Sequence, residues 1–213
     1  MIGEDTIHCF AGVPLVKLCG FALDNELGGL EFAYGIPGSV GGAVYMNAGA
    51  YGGEMKDVLA SVTALDINGN IREYSADELE MSYRHSRFTD SGEVILSAEF
   101  RLKKADKNSM KARMSELMEK RRSKQPLEFP SAGSTFKRPE GAYAAQLIEE
   151  CGLKGFTVGN AQVSEKHSGF VINRGGASFD DVMAVIAEVK HTVAEKTGYK
   201  LECEPIIISE REE

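Results

Sequence analysis

The eighteen residues from Gly35 to Gly52, GIPGSVGGAVYMNAGAYG, include six glycines and almost no charge. Such a stretch can do chemistry with its main chain alone. Glycine enters positive φ and carries no Cβ, so another molecule can lie directly against backbone N–H groups. Successive N–H groups turned the same way form a concave anion site, and the reading is a phosphate-bearing cofactor laid against this backbone. A Walker loop, G-x-x-x-x-G-K-[ST], is excluded because no lysine follows these glycines before Lys56, and the G-x-G-x-x-G fingerprint is missing too. The same glycines equally suit tight turns that pack strands together. Other chemistries find little support. Cys9, Cys19, Cys151 and Cys203 form no C-x-x-C pair and the four histidines show no H-E-x-x-H spacing, so no metal site is expected. No G-x-S-x-G elbow surrounds Ser134, which argues against serine-hydrolase chemistry.

Three further segments follow in order: Tyr83-Arg84-His85-Ser86, Ser131-Ala132-Gly133-Ser134-Thr135-Phe136-Lys137-Arg138-Pro139, and Leu201-Glu202-Cys203-Glu204. With the glycine stretch they resemble the UDP-N-acetylenolpyruvoylglucosamine reductases, also called UDP-N-acetylmuramate dehydrogenases. Four ordered matches across the whole chain are far more specific than one glycine loop. The resemblance implies a cytoplasmic FAD enzyme that takes electrons from NADPH. Its substrate would be a small molecule, a UDP-sugar enolpyruvyl ether, reduced in peptidoglycan precursor synthesis. It also implies an α+β fold: the second lobe of a PCMH-type FAD-binding domain over residues 1–104, then a mixed α/β substrate-binding domain over 105–213. Members of the family carry a further N-terminal flavin-binding lobe ahead of the region matching Thr6 onward. The chain is therefore expected to supply half of the flavin cradle and to hold FAD weakly by itself. Its short passage from Arg101 into the next helix resembles the shorter of two subtypes, without a tyrosine-bearing substrate loop. Two other readings stand beside this one: another flavin oxidoreductase of the same fold group, and a redox-inactive module that binds UDP-sugars.

By motif position the resemblance assigns roles. Arg84 would bind the enolpyruvyl carboxylate, because a guanidinium fork pairs with two carboxylate oxygens, and would stabilise the enolate that develops. Glu204 beside a substrate carboxylate would need a raised pKa, so it would act protonated, as a hydrogen-bond donor. Pro205 departs from the apolar residue usual after this glutamate. Ser134 would deliver the proton to the enolate carbon, a role that requires positive charge nearby. Gly35, Pro37, Gly38, Ser39, Gly41, Gly42, Asn47, Gly49, Ala50 and Tyr51 are carried over as flavin contacts. Lys124, Lys137 and Arg138, with the run Lys120 to Lys124, are the expected counter-charge for the substrate pyrophosphate. The bland alternatives are a structural ion pair for Arg84, a surface charge for Glu204, a turn residue for Ser134, and cations at a helix C-terminus for the basic run.

These residues must be positioned by a mixed set of elements. A helix is expected from Pro14, with Leu15, Leu18, Cys19, Ala22 and Leu23 on one face and Gly28-Gly29 as its end. Strands are expected from Val58 to Tyr74 about a type I′ turn at Asn68-Gly69, and from Glu93 to Leu102. A helix from Asn108 to Gln125 carries Met110, Met114, Leu117, Met118 and Arg121 on one face and stops at Pro126. Beyond it come the SAGSTFKRP turn, a short helix from Ala144 to Cys151, and strands at Phe156–Val163 and Gly169–Ile172. A helix follows Ser178, capped with Asp181 and lined by Val182, Val185, Ile186, Val189 and Val193 until Gly198. Ile206-Ile207-Ile208 reads as a closing buried strand.

Composition sets the outer bounds. At 213 residues, with 43% hydrophobic and 26% charged residues, the chain can bury a substantial core. Its net charge of −8 argues against general nucleic-acid binding. No run approaches the length of a membrane span, and MIGEDTIHCFAG lacks a basic region and a long apolar core.

Overall fold

A computed structural model describes residues 3–208. The chain divides between Arg121 and Arg122 into two compact units. In order, the first unit comprises β1 (Thr6–Phe10), α1 (Leu15–Asp24), β2 (Leu27–Gly28), α2 (Val40–Tyr45), β3 (Gly49–Ala50), β4 (Gly53–Glu54), β5 (Leu59–Leu65), β6 (Ile71–Ser75), α3 (Phe88–Ser91), β7 (Val94–Arg101) and β8 (Lys103–Lys104), then most of α4 (Lys107–Lys124). Its main sheet is antiparallel in the order β1-β7-β5-β6. β7 is paired on both sides. Its Ala98 stands opposite Val62 of β5, and both are buried with Phe100 in a core that α1 and α2 complete with Leu15, Leu18, Ala22, Val40 and Val44.

Several sequence expectations are corrected here. Pro14 is the N-cap of α1 rather than its first residue, and the helix ends at the Asn25 cap because Leu27–Gly28 is drawn into pairing with Lys103–Lys104. β1 was not anticipated: only Ile7 in it is fully buried, so hydrogen bonding to β7 rather than apolar alternation makes it a strand. The β5–β6 turn is not type I′. Gly69 alone takes positive φ (84°), the Gly69 N–H donates to Asp66 O at 3.0 Å, and Asp66 Oδ1 accepts the N–H groups of Asn68 and Asn70. The result is a three-residue connection with glycine in the left-handed position. The glycine-rich segment is also not all loop, since six of its residues form α2. Most of α4 belongs to the first compact unit, where its Met114 packs in the core.

The second unit contains β9 (Ser131–Ser134), α5 (Ala144–Glu150), β10 (Thr157–Val158), β11 (Ala161–Val163), β12 (Phe170–Asn173) and α6 (Phe179–Thr197). Its sheet is antiparallel in the order β10-β11-β12-β9. The expected Phe156–Val163 strand is thus a hairpin, and SAGS is an edge strand rather than a turn. α6 follows its sequence signals closely: Ser178 Oγ accepts the Asp181 N–H at 3.1 Å, Asp181 returns a bond to the Ser178 N–H at 3.0 Å, and Gly198 closes the helix at φ 76°. Val185, Ile186, Val189 and Val193 are buried against the sheet with Ile148 and Leu147 of α5. Burying each such side chain stabilises by about 1.5–3 kcal/mol. Ile206, Ile207 and Ile208 form no strand and are 68%, 45% and 90% exposed. Pro205 ahead of them cannot donate to a ladder, and pairing ends at the isolated bridge between Phe136 and Cys203.

Candidate active site

The glycine-rich segment is sewn to the chain that precedes it. Leu15 N–H donates to Gly38 O at 2.9 Å, Val40 N–H to Val13 O at 2.9 Å and Gly41 N–H to Ala11 O at 2.8 Å. Ser39 caps α2, its Oγ accepting the Gly42 N–H at 3.2 Å. The glycines then divide by what surrounds them. A Cβ on Gly41 would lie 2.8 Å from Ala11 Cβ, one on Gly35 2.7 Å from Met118 Cε, and one on Gly49 2.9 Å from Gly53 O. Those three serve close packing, which is the bland reading. A Cβ on Gly38, at φ 129°, would meet nothing within 4 Å. Among the described residues the N–H groups of Gly38 and Ser39 have no hydrogen-bond acceptor. Here the backbone is open to an incoming anion, and Pro37 and Gly42 are exposed nearby in the chain.

Ala50 and Tyr51 belong to the β3–β4 hairpin, with Tyr51 at φ 54° and Gly52 at φ 88° in its turn. Under this turn lies Arg121, 8% exposed, its guanidinium 5.7 Å from the Tyr51 ring centroid and its Nε within contact of the position a Gly35 side chain would take. Burial pulls the Arg121 pKa down, partly opposed by Tyr51. The sequence reading placed Arg121 on the apolar face of α4 and missed this contact. An arginine among Met110, Met114 and Leu117 was the available signal.

Arg84 sits on a tight turn. Ser82 and His85 exchange both backbone hydrogen bonds, at 3.1 and 3.2 Å, with Tyr83 and Arg84 between them. Arg84 has φ 54°, the third-residue position of a turn that favours glycine. Its guanidinium stacks on the Tyr83 ring at 4.9 Å. The contrast with Arg87 is instructive. Arg87 bonds Glu93 Oε2 at 3.2 Å and stacks on Tyr74 at 3.8 Å, while the Tyr74 hydroxyl donates to the same carboxylate. Arg87 is a structural arginine; Arg84 occupies strained backbone three residues earlier.

In the second unit, Ser134 pairs with Phe170 at the end of β9. Thr135 next to it is 3% exposed, its N–H bonded to Gly169 O at 2.8 Å and its Oγ1 accepting the Val171 N–H at 3.0 Å. The Glu204 N–H donates to Thr135 O at 3.0 Å and the Lys137 N–H to Glu202 O at 2.9 Å. Ser134, at the end of β9, and Glu204, in the segment bonded to Thr135, are therefore brought near one another from opposite ends of the unit's sequence. Their side chains are exposed and half-buried respectively.

The basic residues have different surroundings. Lys120 is bridged to Glu116 at 2.6 Å, Arg121 is buried, and Arg122 and Lys124 are exposed, since a helix turns successive side chains to different sides. Lys137 pairs with Glu202 at 3.6 Å, and Arg138 stacks on Tyr143 at 3.8 Å. Among the described residues no group of three His, Cys, Asp or Glu is placed to hold a metal ion, and no helix is long and apolar enough to cross a membrane.

Comparison with known proteins gives a consistent result. Residues 2–75 match a family model described as an FAD binding domain, and residues 125–208 match one described as the UDP-N-acetylenolpyruvoylglucosamine reductase C-terminal domain. The UDP-N-acetylenolpyruvoylglucosamine reductase of Agathobacter rectalis is 54% identical over 210 residues, 97% of this chain and 67% of that protein. The Syntrophomonas wolfei reductase is 50% identical over 209 residues, 98% of this chain and 70% of that protein. The crystal structure of UDP-N-acetylenolpyruvylglucosamine reductase from Thermus caldophilus superposes with a TM-score of 0.83 at 36% identity, covering 95% of this chain and 73% of that one. The chain spans about two thirds of the length of these curated relatives. With both family models matched in order and half of all residues shared with such relatives, the chain belongs to the UDP-N-acetylenolpyruvoylglucosamine reductase family of FAD-dependent oxidoreductases.

Proposed function

We propose that these residues reduce the enolpyruvyl ether of a UDP-sugar to UDP-N-acetylmuramate in the cytoplasm, with NADPH as electron donor. The observation that carries this reading is the Arg84 turn: a guanidinium held on left-handed backbone next to the glycine-rich segment in the same unit. FAD, when bound, carries hydride between a nicotinamide and an electron-poor alkene carbon. Gly38 and Ser39 would hold its phosphates through their open N–H groups, with Pro37, Gly42, Ala50 and Tyr51 alongside. Gly35, Gly41 and Gly49 support that backbone by close packing. The flavin role is assigned to residues 1–104 and the substrate role to 105–213.

Arg84 binds the enolpyruvyl carboxylate through two charge-assisted hydrogen bonds and stabilises negative charge as it grows toward the enolate. Ser134 then supplies a proton to the adjacent carbon. Glu204, joined through Thr135 to the strand that carries Ser134, orients the carboxyl end of the substrate. Lys124, Lys137 and Arg138 line the substrate's diphosphate, with Lys137 released from Glu202 when it does so.

Ser134→Ala tests the assignment in the flavin-loaded enzyme by stopped-flow. NADPH should bleach the flavin at a near-native rate, because no carbon is protonated in that half. Mixing the pre-reduced variant with the enolpyruvyl sugar should show a slowing on the order of 10²–10⁴. Equal slowing of both halves would place Ser134 in support of the fold and send the search for the proton donor elsewhere. A wild-type chain that binds UDP-sugar yet never bleaches would instead favour a redox-inactive binding module.

A further inference from the structure

The Arg84 turn is fastened to the glycine-rich segment at two points, one on each side of Tyr83-Arg84. Asn47 Nδ2 donates to Ser82 O at 2.9 Å, and Ser86 Oγ donates to Tyr45 O at 2.7 Å. Both Asn47 and Ser86 are 0% exposed. The rest of the Asn47 amide is equally committed: Nδ2 also donates to Glu54 Oε2 at 2.7 Å, and Oδ1 accepts the Lys56 N–H at 3.0 Å. Glu54 is itself held by Lys56 Nζ at 2.6 Å. A carboxamide has two N–H donors, and both are used inside the protein. The side chain of Asn47 therefore has no donor left for a flavin, although its motif position suggested one. Its backbone adds a second constraint, since φ is 41°, a region that asparagine tolerates and most other side chains do not. Asparagine meets both demands at once, the left-handed backbone and the pair of donors.

We propose that Asn47 is a positioning residue: its amide sets the place of the Arg84 guanidinium relative to the flavin-binding segment, with Ser86 as the second fastening. The proposal rests on the reading of Arg84 as the group that binds the substrate carboxylate. Removing the buried amide takes from the Ser82 carbonyl the shorter of its two hydrogen bonds and leaves it the His85 N–H at 3.2 Å, so the turn loosens while the glycine-rich backbone stays sewn to residues 11–15. The consequence falls on substrate rather than on cofactor.

Three variants test this. Asn47→Gly keeps the left-handed backbone without strain and removes the amide. Asn47→Asp keeps the acceptor for the Lys56 N–H but turns a carboxylate toward Glu54 and the Ser82 carbonyl. Ser86→Ala removes the second fastening and leaves residue 47 untouched, so it serves if either Asn47 variant folds poorly. Amide hydrogen exchange at His85, whose N–H is bonded to Ser82 O, should speed up roughly tenfold or more in each, the loss expected for one buried hydrogen bond. In the flavin-loaded enzyme the KM for the enolpyruvyl sugar should rise by a similar factor. The Kd for FAD and the rate of flavin reduction by NADPH should stay near native. Native exchange at His85 would overturn the proposal, as would weakened FAD affinity with an unchanged KM, which would return Asn47 to the flavin. If wild-type enzyme reduces no enolpyruvyl sugar, the functional reading fails separately, and the exchange comparison still decides the fastening.

Discussion

Replacing Arg84 with glycine separates a functional arginine from a structural one, because the two readings predict opposite balances of stability and activity. Arg84 is at φ 54° in the Ser82–His85 turn. Left-handed backbone costs a non-glycine residue about 1–2 kcal/mol, and Arg84→Gly recovers that amount. Against it stand about 0.5–1 kcal/mol for the greater freedom of glycine in the unfolded chain and about 0.5–1 kcal/mol for the lost stacking on Tyr83. The sum lies within about 1 kcal/mol of zero, a shift in Tm of no more than about 4 °C for a chain of this size. Arg84→Ala loses the stacking and keeps the strain, so it should melt below Arg84→Gly. Activity should fall in both. A lost charge-assisted hydrogen bond is worth about 1.5–3 kcal/mol, or roughly 10–150-fold in kcat/KM for the enolpyruvyl sugar. The assays are thermal unfolding by circular dichroism and steady-state oxidation of NADPH in the flavin-loaded enzyme. A loss of several kcal/mol in Arg84→Gly with native turnover would make Arg84 a structural ion pair and remove it from the mechanism. A glycine variant less stable than the alanine variant would contradict the left-handed turn itself.

Two further outcomes concern the scaffold. The Asp66 carboxyl is lowered to about 2, first by the backbone N–H of Asn70, then by the Asn70 side chain, the Asn68 N–H and Arg72. An unfolded aspartate titrates near 4, so this contribution is complete above about pH 4 and is lost as pH falls from there through about 2. Asp66→Asn should lower Tm at neutral pH, and the gap from wild type should close as the solution is acidified. A gap independent of pH would mean that the charge is irrelevant to the hairpin. Burial pushes the thiols of Cys9 and Cys19 up to about 11 and about 12. Iodoacetamide at neutral pH should leave both unmodified in the native chain and label them after denaturation, read by peptide mass spectrometry. Rapid native labelling of Cys19 would contradict its place on the buried face of α1.

What the sequence made legible is what short-range chemistry determines. α6 is the clearest case: a serine cap answered by Asp181, valines at helical spacing, and a glycine at the end specify both the helix and its inner face before any tertiary contact forms. The motif residues were equally legible, as types and positions. The elements that were missed depend on distant partners. β1 is a strand because β7 offers it a ladder, and Ile206-Ile207-Ile208 is none because nothing among the described residues pairs with it. The Asn68-Gly69 turn was misread because Asp66 competes for the turn's N–H groups, an interaction invisible to a dipeptide rule. The division of the glycines into packing and open positions also needed coordinates, since the neighbours of Gly41 and Gly35 lie elsewhere in the chain.

Backbone strain gives an independent line to the same site. Five non-glycine residues take positive φ among the described residues: Glu26, Asn47, Tyr51, Glu80 and Arg84. Left-handed backbone does not by itself mark a functional position. Glu80 closes a single helical turn, Ala76–Leu79, and Glu26 links α1 to the pairing of β2 with β8. The other three lie within the glycine-rich stretch and the Tyr-Arg-His-Ser motif, and each is held by contacts that local sequence did not require. Asn47 is fixed by Glu54, Lys56 and Ser82, Tyr51 rests over buried Arg121, and Arg84 is bracketed by the fastenings at Ser82 and Ser86. Strain of roughly 1–3 kcal/mol at such a residue persists only where the surroundings over-determine it. In this unit the surroundings that do so run between the glycine-rich segment and the Arg84 turn. Under the proposed function, the rigidity they supply fixes the relative placement of cofactor and substrate groups, the quantity on which a hydride transfer and the charge it creates most depend.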